Sequence, residues 1–320
     1  MVLAQRESVN RETRVRNPRC VALYGKGGIG RLPVVRGEVA RPGRLRTLLL
    51  LAVGLGALLV SPLGVADCVS LSGKLTQGGL AWGALPAGSS ATLDGKRLDV
   101  LPDGTTLLGF GRDAPASAEL VVQGAAPCRQ SLAIAAREYR IQRVEGVPQQ
   151  TVTPSPEHQA RIARERKLVA DAKAQRFKRP DLLQDALSGF SWPTQGPISG
   201  VYGSQRYYNG NPGSPHYGVD VAVPTGTPVR APAAGIVTLA ETDLFYSGGT
   251  IILDHGYGLS SSFLHLSAVE VAPGDEVARG ALLGAVGASG RATGPHLDWR
   301  MSWRNERIDP QLLVPPMPAQ

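Results

Sequence analysis

From His296 to Trp303 the chain alternates strictly: Leu297, Trp299, Met301 and Trp303 take one face of an extended strand, and His296, Asp298, Arg300 and Ser302 take the other. A period of two is the signature of a β-strand. Taken alone, the segment reads as a half-buried strand whose polar side faces water. Upstream, residues 250–254 and 259–266 flank the turn His255-Gly256-Tyr257-Gly258, which predicts a hairpin. In its second strand the same period puts Leu259, Ser261, Phe263 and His265 on one face, so His265 is expected where that face ends. Residues 190–314 as a whole are dense in glycine and β-branched residues, and predict mostly antiparallel sheet.

A different rhythm holds from residue 70 to about 140. Short apolar runs are punctuated by Leu85-Pro86-Ala87-Gly88, Asp94-Gly95 and Asp103-Gly104, the pattern of a small β-sandwich-like module. It has no histidine and its acids sit mostly in turns, so it reads as an accessory unit; Gly109-Phe110-Gly111-Arg112-Asp113 reads as a plain hairpin, with a binding loop as the alternative. A linker-like Thr151-Val152-Thr153-Pro154-Ser155-Pro156 then leads into a helix over about 156–177, capped by Ser155, with Pro156 in its first turn and Lys178, Arg179 and Pro180 at its end. Arg161, Arg164, Arg166, Lys167, Lys173 and Arg176 make that helix basic, which suits a solvated spacer or, alternatively, contact with an anionic surface. His158 on it is expected to be exposed and idle. The predicted fold is mainly β. It divides into a leader with signal peptide (1–66), a β-rich module (67–148), a linker with the basic helix (149–189), a C-terminal antiparallel sheet domain (190–314) and a tail (315–320).

Composition changes meaning once the leader is set aside. Arg41, Arg44 and Arg46, an apolar stretch from Thr47 to Val60, and Gly64-Val65-Ala66 follow the plan of a secretory signal peptide, with an uncleaved membrane anchor as the alternative. Residues 1–66 hold eleven Lys/Arg and three Asp/Glu, so they carry the whole formal charge of +8. The remainder is close to neutral, which removes the basic balance as an argument for nucleic acid. Export also suits the cysteines: Cys20 falls in the leader, and Cys68 and Cys128 remain as a pair expected to be bridged. Gly25-Lys26-Gly27-Gly28-Ile29-Gly30-Arg31-Leu32 has the glycine spacing of a phosphate-binding loop, but offers Arg31 and Leu32 where Lys and Ser/Thr are needed.

The chemistry concentrates in the last third, where His216-x-x-x-Asp220 and His296-x-Asp298 join His265. Imidazole with carboxylate is a reasonable zinc donor set. Pro215-His216-Tyr217-Gly218-Val219-Asp220, Val223-Pro224-Thr225-Gly226-Thr227-Pro228-Val229, Asp254-His255-Gly256, Leu264-His265-Leu266-Ser267 and Gly294-Pro295-His296-Leu297-Asp298 occur in that order, and over roughly residues 192–313 the sequence resembles the lysostaphin-type (LytM) zinc metallopeptidases. The preceding module resembles the β-rich amino-terminal unit of some bacterial members.

The resemblance implies a peptidoglycan endopeptidase located in the periplasm or cell envelope and acting on peptide stems. It further implies one zinc ion held by His216, Asp220 and Asp298, with His265 and His296 flanking the reacting water as catalytic imidazoles. Asp298 departs from the family's usual His-x-His. It preserves the ligand count but removes a unit of positive charge, and it opens the site to another divalent metal. The alternative function is a catalytically degenerate wall-binding protein that activates another hydrolase. Arg206 and Tyr207, in the loop before His216, are candidate substrate contacts, and His255 is expected to shape its turn rather than bind metal.

Overall fold

Trp299 and Phe263 face each other across two paired strands and are fully buried, and the fold is built outward from that contact. A computed structural model describes residues 68–144, 155–208 and 210–318. The leader with its signal segment, Cys20 and the glycine-rich 25–32 stretch lie outside the described residues, as does most of the linker. Strand content dominates, as expected.

In the amino-terminal module, β1 (Ser72–Gly73), β2 (Leu80–Ala84) and β5 (Thr105–Gly109) form one antiparallel sheet. A second sheet runs β4-β3-β6-β7, from β3 (Ser90–Leu93), β4 (Lys96–Arg97), β6 (Ser117–Gln123) and β7 (Cys128–Ala133). Strand β6 alternates without a break, Ala118, Leu120 and Val122 inward and their neighbours outward, as a half-buried strand should. Cys68 and Cys128 form the expected disulfide, with Cα atoms 5.7 Å apart.

The large sheet is ordered β17-β14-β15-β16-β19-β12-β9. Its strands are β9 (Ile198–Gly200), β12 (Gly218–Val221), β14 (Gly235–Leu244), β15 (Gly248–Asp254), β16 (Leu259–Val269), β17 (Glu276–Val277) and β19 (Leu297–Trp303). Paired β13 (Pro228–Arg230) and β18 (Leu282–Val286) extend it beside β16, and β20 (Glu306–Ile308) beside β19. Strands β8 (Ile141–Val144), β10 (Gln205–Tyr208) and β11 (Asn211–Pro212) make a small separate sheet. The predicted hairpin is β15–β16. At its turn His255 is fully buried, its Nδ1 bonded to the Ala234 carbonyl at 2.8 Å and its Nε2 accepting from Ser261 Oγ at 2.9 Å.

Strand β19 departs from the half-buried reading. Asp298 and Ser302, on its polar face, are 2% and 3% exposed. The cover comes partly from helix α1 (Pro156–Ala174), which does not stand free as a spacer. Val169 and Ala172 pack on Leu239, Leu244 and Ile252, and Ile252 shares a sheet face with Ser262 and Arg300 through the β15–β16–β19 register. The helix therefore lies along the polar face of the sheet. Ser155 caps it as expected, accepting from the His158 N–H at 3.2 Å; Arg164, Arg166 and Lys167 stay exposed, and the His158 ring lies 4.8 Å from Phe245. Pro180 opens a second helix, α2 (Pro180–Leu187), which buries Leu182, Leu183 and Ala186. Among the described residues no helix is long and apolar enough to cross a membrane.

One hydrophobic cluster runs from Leu80, Leu108 and Leu120 of the amino-terminal module to Phe263, Trp299 and Ile308 of the large sheet. Gly109 explains how close the approach is: a Cβ there would come within 2.7 Å of the Trp303 ring. The segment after it is neither a plain hairpin nor a free binding loop. Arg112 Nε donates to the Gly203 carbonyl at 3.0 Å, and Tyr139 lies against Gly203, so this part of the module grips the loop that carries His216.

Candidate functional site

Register brings two carboxylates together. Asp220 of β12 sits directly opposite Asp298 of β19. Like charges opposite each other on a sheet repel, so the pairing needs a cation. Glycines on the neighbouring strands clear room for both: a Cβ on Gly200 would meet Asp220 Oδ2, and one on Gly218 would stand 2.6 Å from Asp298 Oδ1.

His216 arrives from the loop before β12, fixed at its backbone by His216 N–H to Ser204 O and Gly203 N–H to His216 O, both 2.8 Å. Its Nε2 lies 3.1 Å from Asp220 Oδ1. Both atoms are buried, and their geometry is not that of a hydrogen bond. One donor atom each from His216, Asp220 and Asp298 falls within 4.8 Å of the others, a group able to hold a divalent cation. Two orphaned, buried donor atoms pointing at one another are what a metal would satisfy.

Electrostatics reinforces that picture. Burial alone would lower the His216 pKa, but Asp220 and Asp298 reverse the effect and raise it. Burial likewise works to raise the Asp298 carboxyl, and the Arg300 guanidinium more than offsets it, holding the group below the usual aspartate range. Arg300 grips Asp298 closely: its Nε lies 3.0 Å from both carboxylate oxygens. Alternation along β19 had placed Arg300 on that face; which partner it would take was not legible from the sequence.

His265 departs from simple alternation. Continuing the period would put it beside Phe263 on the core face, but its φ is +64° and a bulge interrupts the β15–β16 register between Gly249 and Ile251. A non-glycine residue in the left-handed region is uncommon and marks a locally imposed conformation. The bulge turns His265 onto the same side as Asp298, with its ring 4.8 Å from that of His296. Ser289, which sequence reasoning missed, anchors it. Its Oγ accepts from the Gly249 N–H and donates to the Leu266 carbonyl, and its own carbonyl lies 2.8 Å from His265 Nδ1.

That last contact fixes a tautomer. Only a protonated nitrogen can satisfy a carbonyl, so His265 carries its hydrogen on Nδ1 and leaves the Nε2 lone pair free. His296 is set the same way, its Nδ1 2.8 Å from the Gly294 carbonyl, and its Nε2 lies 4.0 Å from Asp220 Oδ1. Burial lowers the His265 pKa, keeping the ring neutral near pH 7. Two imidazoles, each anchored through Nδ1 on a backbone carbonyl, thus stand beside the His216–Asp220–Asp298 group.

The other candidate contacts lie apart. Arg206 Nε donates to Gln142 at 3.0 Å and Tyr207 stacks under Arg143, both through the β8–β10 pairing. Lys173 of α1 and Arg307 of β20 come near enough to Arg300 for its charge to weaken their hold on a proton. Burial and these neighbours bring the Lys173 pKa down to about 7.

The profile of peptidase family M23 matches residues 214–310, which include His216, Asp220, His265, His296 and Asp298. A crystal structure of a Pseudomonas aeruginosa protein assigned to peptidase M23 superposes with a TM-score of 0.57 at 32% identity, covering 75% of this chain and 95% of that one. The chain belongs to peptidase family M23. Among curated relatives, peptidoglycan DD-endopeptidase ShyA of Vibrio cholerae is 32% identical over 133 residues, covering 41% of this chain and 31% of its own length. DD-carboxypeptidase/endopeptidase Mpg of Neisseria meningitidis is 38% identical over 103 residues, 32% of this chain and 24% of its length. The match thus spans no more than about a third of these relatives.

Proposed function

We propose that this protein is a zinc-dependent endopeptidase that hydrolyses peptide cross-links of bacterial cell-wall peptidoglycan, acting after export to the periplasm or cell envelope. One observation carries the reading: three buried donors, His216, Asp220 and Asp298, converge within 4.8 Å beside two imidazoles whose reactive nitrogens are free. The donor set fits zinc, and a bound ion there would supply Lewis acidity and a water acidic enough to react near neutral pH. His265, neutral and with Nε2 unencumbered, is placed to take the water's proton as it attacks the peptide carbonyl. His296, 4.8 Å away, is placed to stabilise the charge that develops and to return a proton to the leaving amine. Retention of both imidazoles with fixed tautomers supports an enzyme over a degenerate wall-binding relative, and the names of the curated relatives support peptidoglycan as the substrate. The Cys68–Cys128 disulfide supports an oxidising compartment.

The test measures bound metal and release of muropeptides from purified sacculi by the native protein, Asp298→Ala and His265→Ala. The native protein should carry about one metal ion and release muropeptides; Asp298→Ala should lose the metal; His265→Ala should keep it and lose roughly 10²-fold or more in rate. No metal and no release from the native protein, even with zinc added, would reject the enzyme. Equal metal loss in both variants would reject the division of roles.

A further inference from the structure

Asp298 does not stand alone in the site: Arg300, two residues on and on the same strand face, holds it by a fork. An aspartate that serves only as a metal ligand has no need of a guanidinium at hydrogen-bond distance, and a cation so placed would weaken the hold on a dication unless its charge were part of the design. The fork therefore calls for its own account.

We infer that Arg300 is the charge partner of Asp298, so that the two residues together replace a single neutral ligand. This rests on the reading of Asp298 as a metal ligand and extends it to a residue that touches no metal. One neutral imidazole, two carboxylates and one guanidinium carry a net single negative charge. Two imidazoles and one carboxylate carry the same. With Arg300 counted, a bound dication keeps the net positive charge that a third ligand of histidine would have left it. Without Arg300 that charge is cancelled.

Three observations support the pairing as a built unit. Asp298 is 2% exposed, so its charge cannot be left to water to screen. Arg300 reaches the carboxylate with two nitrogens, Nε toward both oxygens and Nη2 toward Oδ2, a fork rather than a single contact. Gly218 on the adjoining strand has room for neither a Cβ against Arg300 Cγ nor one against Asp298 Oδ1, both 2.6 Å from the position it would take. A carboxylate has two oxygens and several lone-pair sites, so it can accept from Arg300 and still offer a lone pair to a metal ion alongside His216 and Asp220. Arg300 is accordingly a positioning and charge-setting residue, not a catalytic one.

The inference is tested by zinc affinity alone, measured on the full chain by competition with a chromophoric chelator. Arg300→Gln removes the charge and should bind zinc at least about tenfold more tightly, while Arg300→Lys, which retains it, should stay within about threefold of the native protein. Asp298→His with Arg300 in place adds positive charge and strands the guanidinium, and should bind at least about tenfold more weakly; adding Arg300→Gln to it should restore affinity to within about threefold. The two routes make the reading independent of whether any one variant folds, which thermal melting reports. Unchanged or weaker binding by Arg300→Gln, or no recovery in the double variant, would overturn the charge partnership and leave the metal site standing. Absence of zinc binding by the native protein would overturn both.

Discussion

At the scale of single residues, the site was legible by type and order but not by partnership. His216, Asp220, His265, His296 and Asp298 could be picked out from spacing and resemblance, because metal donors are few and their order in the chain is specific. The tautomers of His265 and His296 could not, since they depend on the Ser289 and Gly294 carbonyls, and backbone carbonyls leave no mark in a sequence. Asp254 shows the same limit away from the site. It is 2% exposed, and burial, only partly offset by the Gly256 N–H, raises its pKa from 3.8 to about 7. Between those values the folded chain holds a proton that the unfolded chain has released. Its contribution to stability is therefore complete below about pH 4 and lost as pH rises through 7. Asp254→Asn should make the protein more stable than the native chain at pH 8, by up to about 4 kcal/mol, with the difference closing toward pH 4. Urea midpoints at the two pH values check this, and an equal difference at both would refute it.

At the scale of elements, the strand alternation of β6 and β19 and the β15–β16 hairpin were readable because a period of two is hard to produce by chance over seven residues. Helix α1 was readable as a helix and misleading as a spacer. Its inward stripe of Ile162, Val169 and Ala172 is thin, and five basic residues dominate its composition. The bulge at His265 was not readable, since alternation continues through it in sequence while the backbone does not. The loop that carries His216 is held by another such contact. Gly203 has φ +81°, and a Cβ there would fall 2.0 Å from the Tyr139 ring. Gly203→Ala thus meets both a disfavoured backbone region and a collision. It should speed amide exchange across residues 201–217 and weaken metal binding, while β16 and β19 keep their protection. Uniformly faster exchange would mean that the substitution unfolds the protein rather than loosening this loop.

At the scale of the whole molecule, the sequence rhythm suggested a module and a domain joined by a linker, and the described structure adds a continuous core between them. Arg137 pairs with Asp309 at 2.8 Å and Asp99 with Arg304 at 2.6 Å, so polar contacts bind the same seam. Pairings between residues about 170 positions apart leave no local signal, which is why the seam was invisible beforehand. The disulfide closes a 60-residue separation within the module and should act through that seam. Reduction is expected to lower unfolding stability by about 4 kcal/mol on the chain-entropy account, seen as an earlier denaturant midpoint. A midpoint shift for module and large sheet together would follow from the shared core; a shift confined to the module would contradict it.

The seam also bears on how such a protein can be taken apart. Trp303 and Ile308 are 5% and 0% exposed with the module in place, and Gly109 belongs to that cover. An engineer who excised residues 190–314 by themselves would bare that apolar patch and remove the ring that braces Gly203. Moving the large sheet between proteins therefore calls for carrying the amino-terminal module along with it.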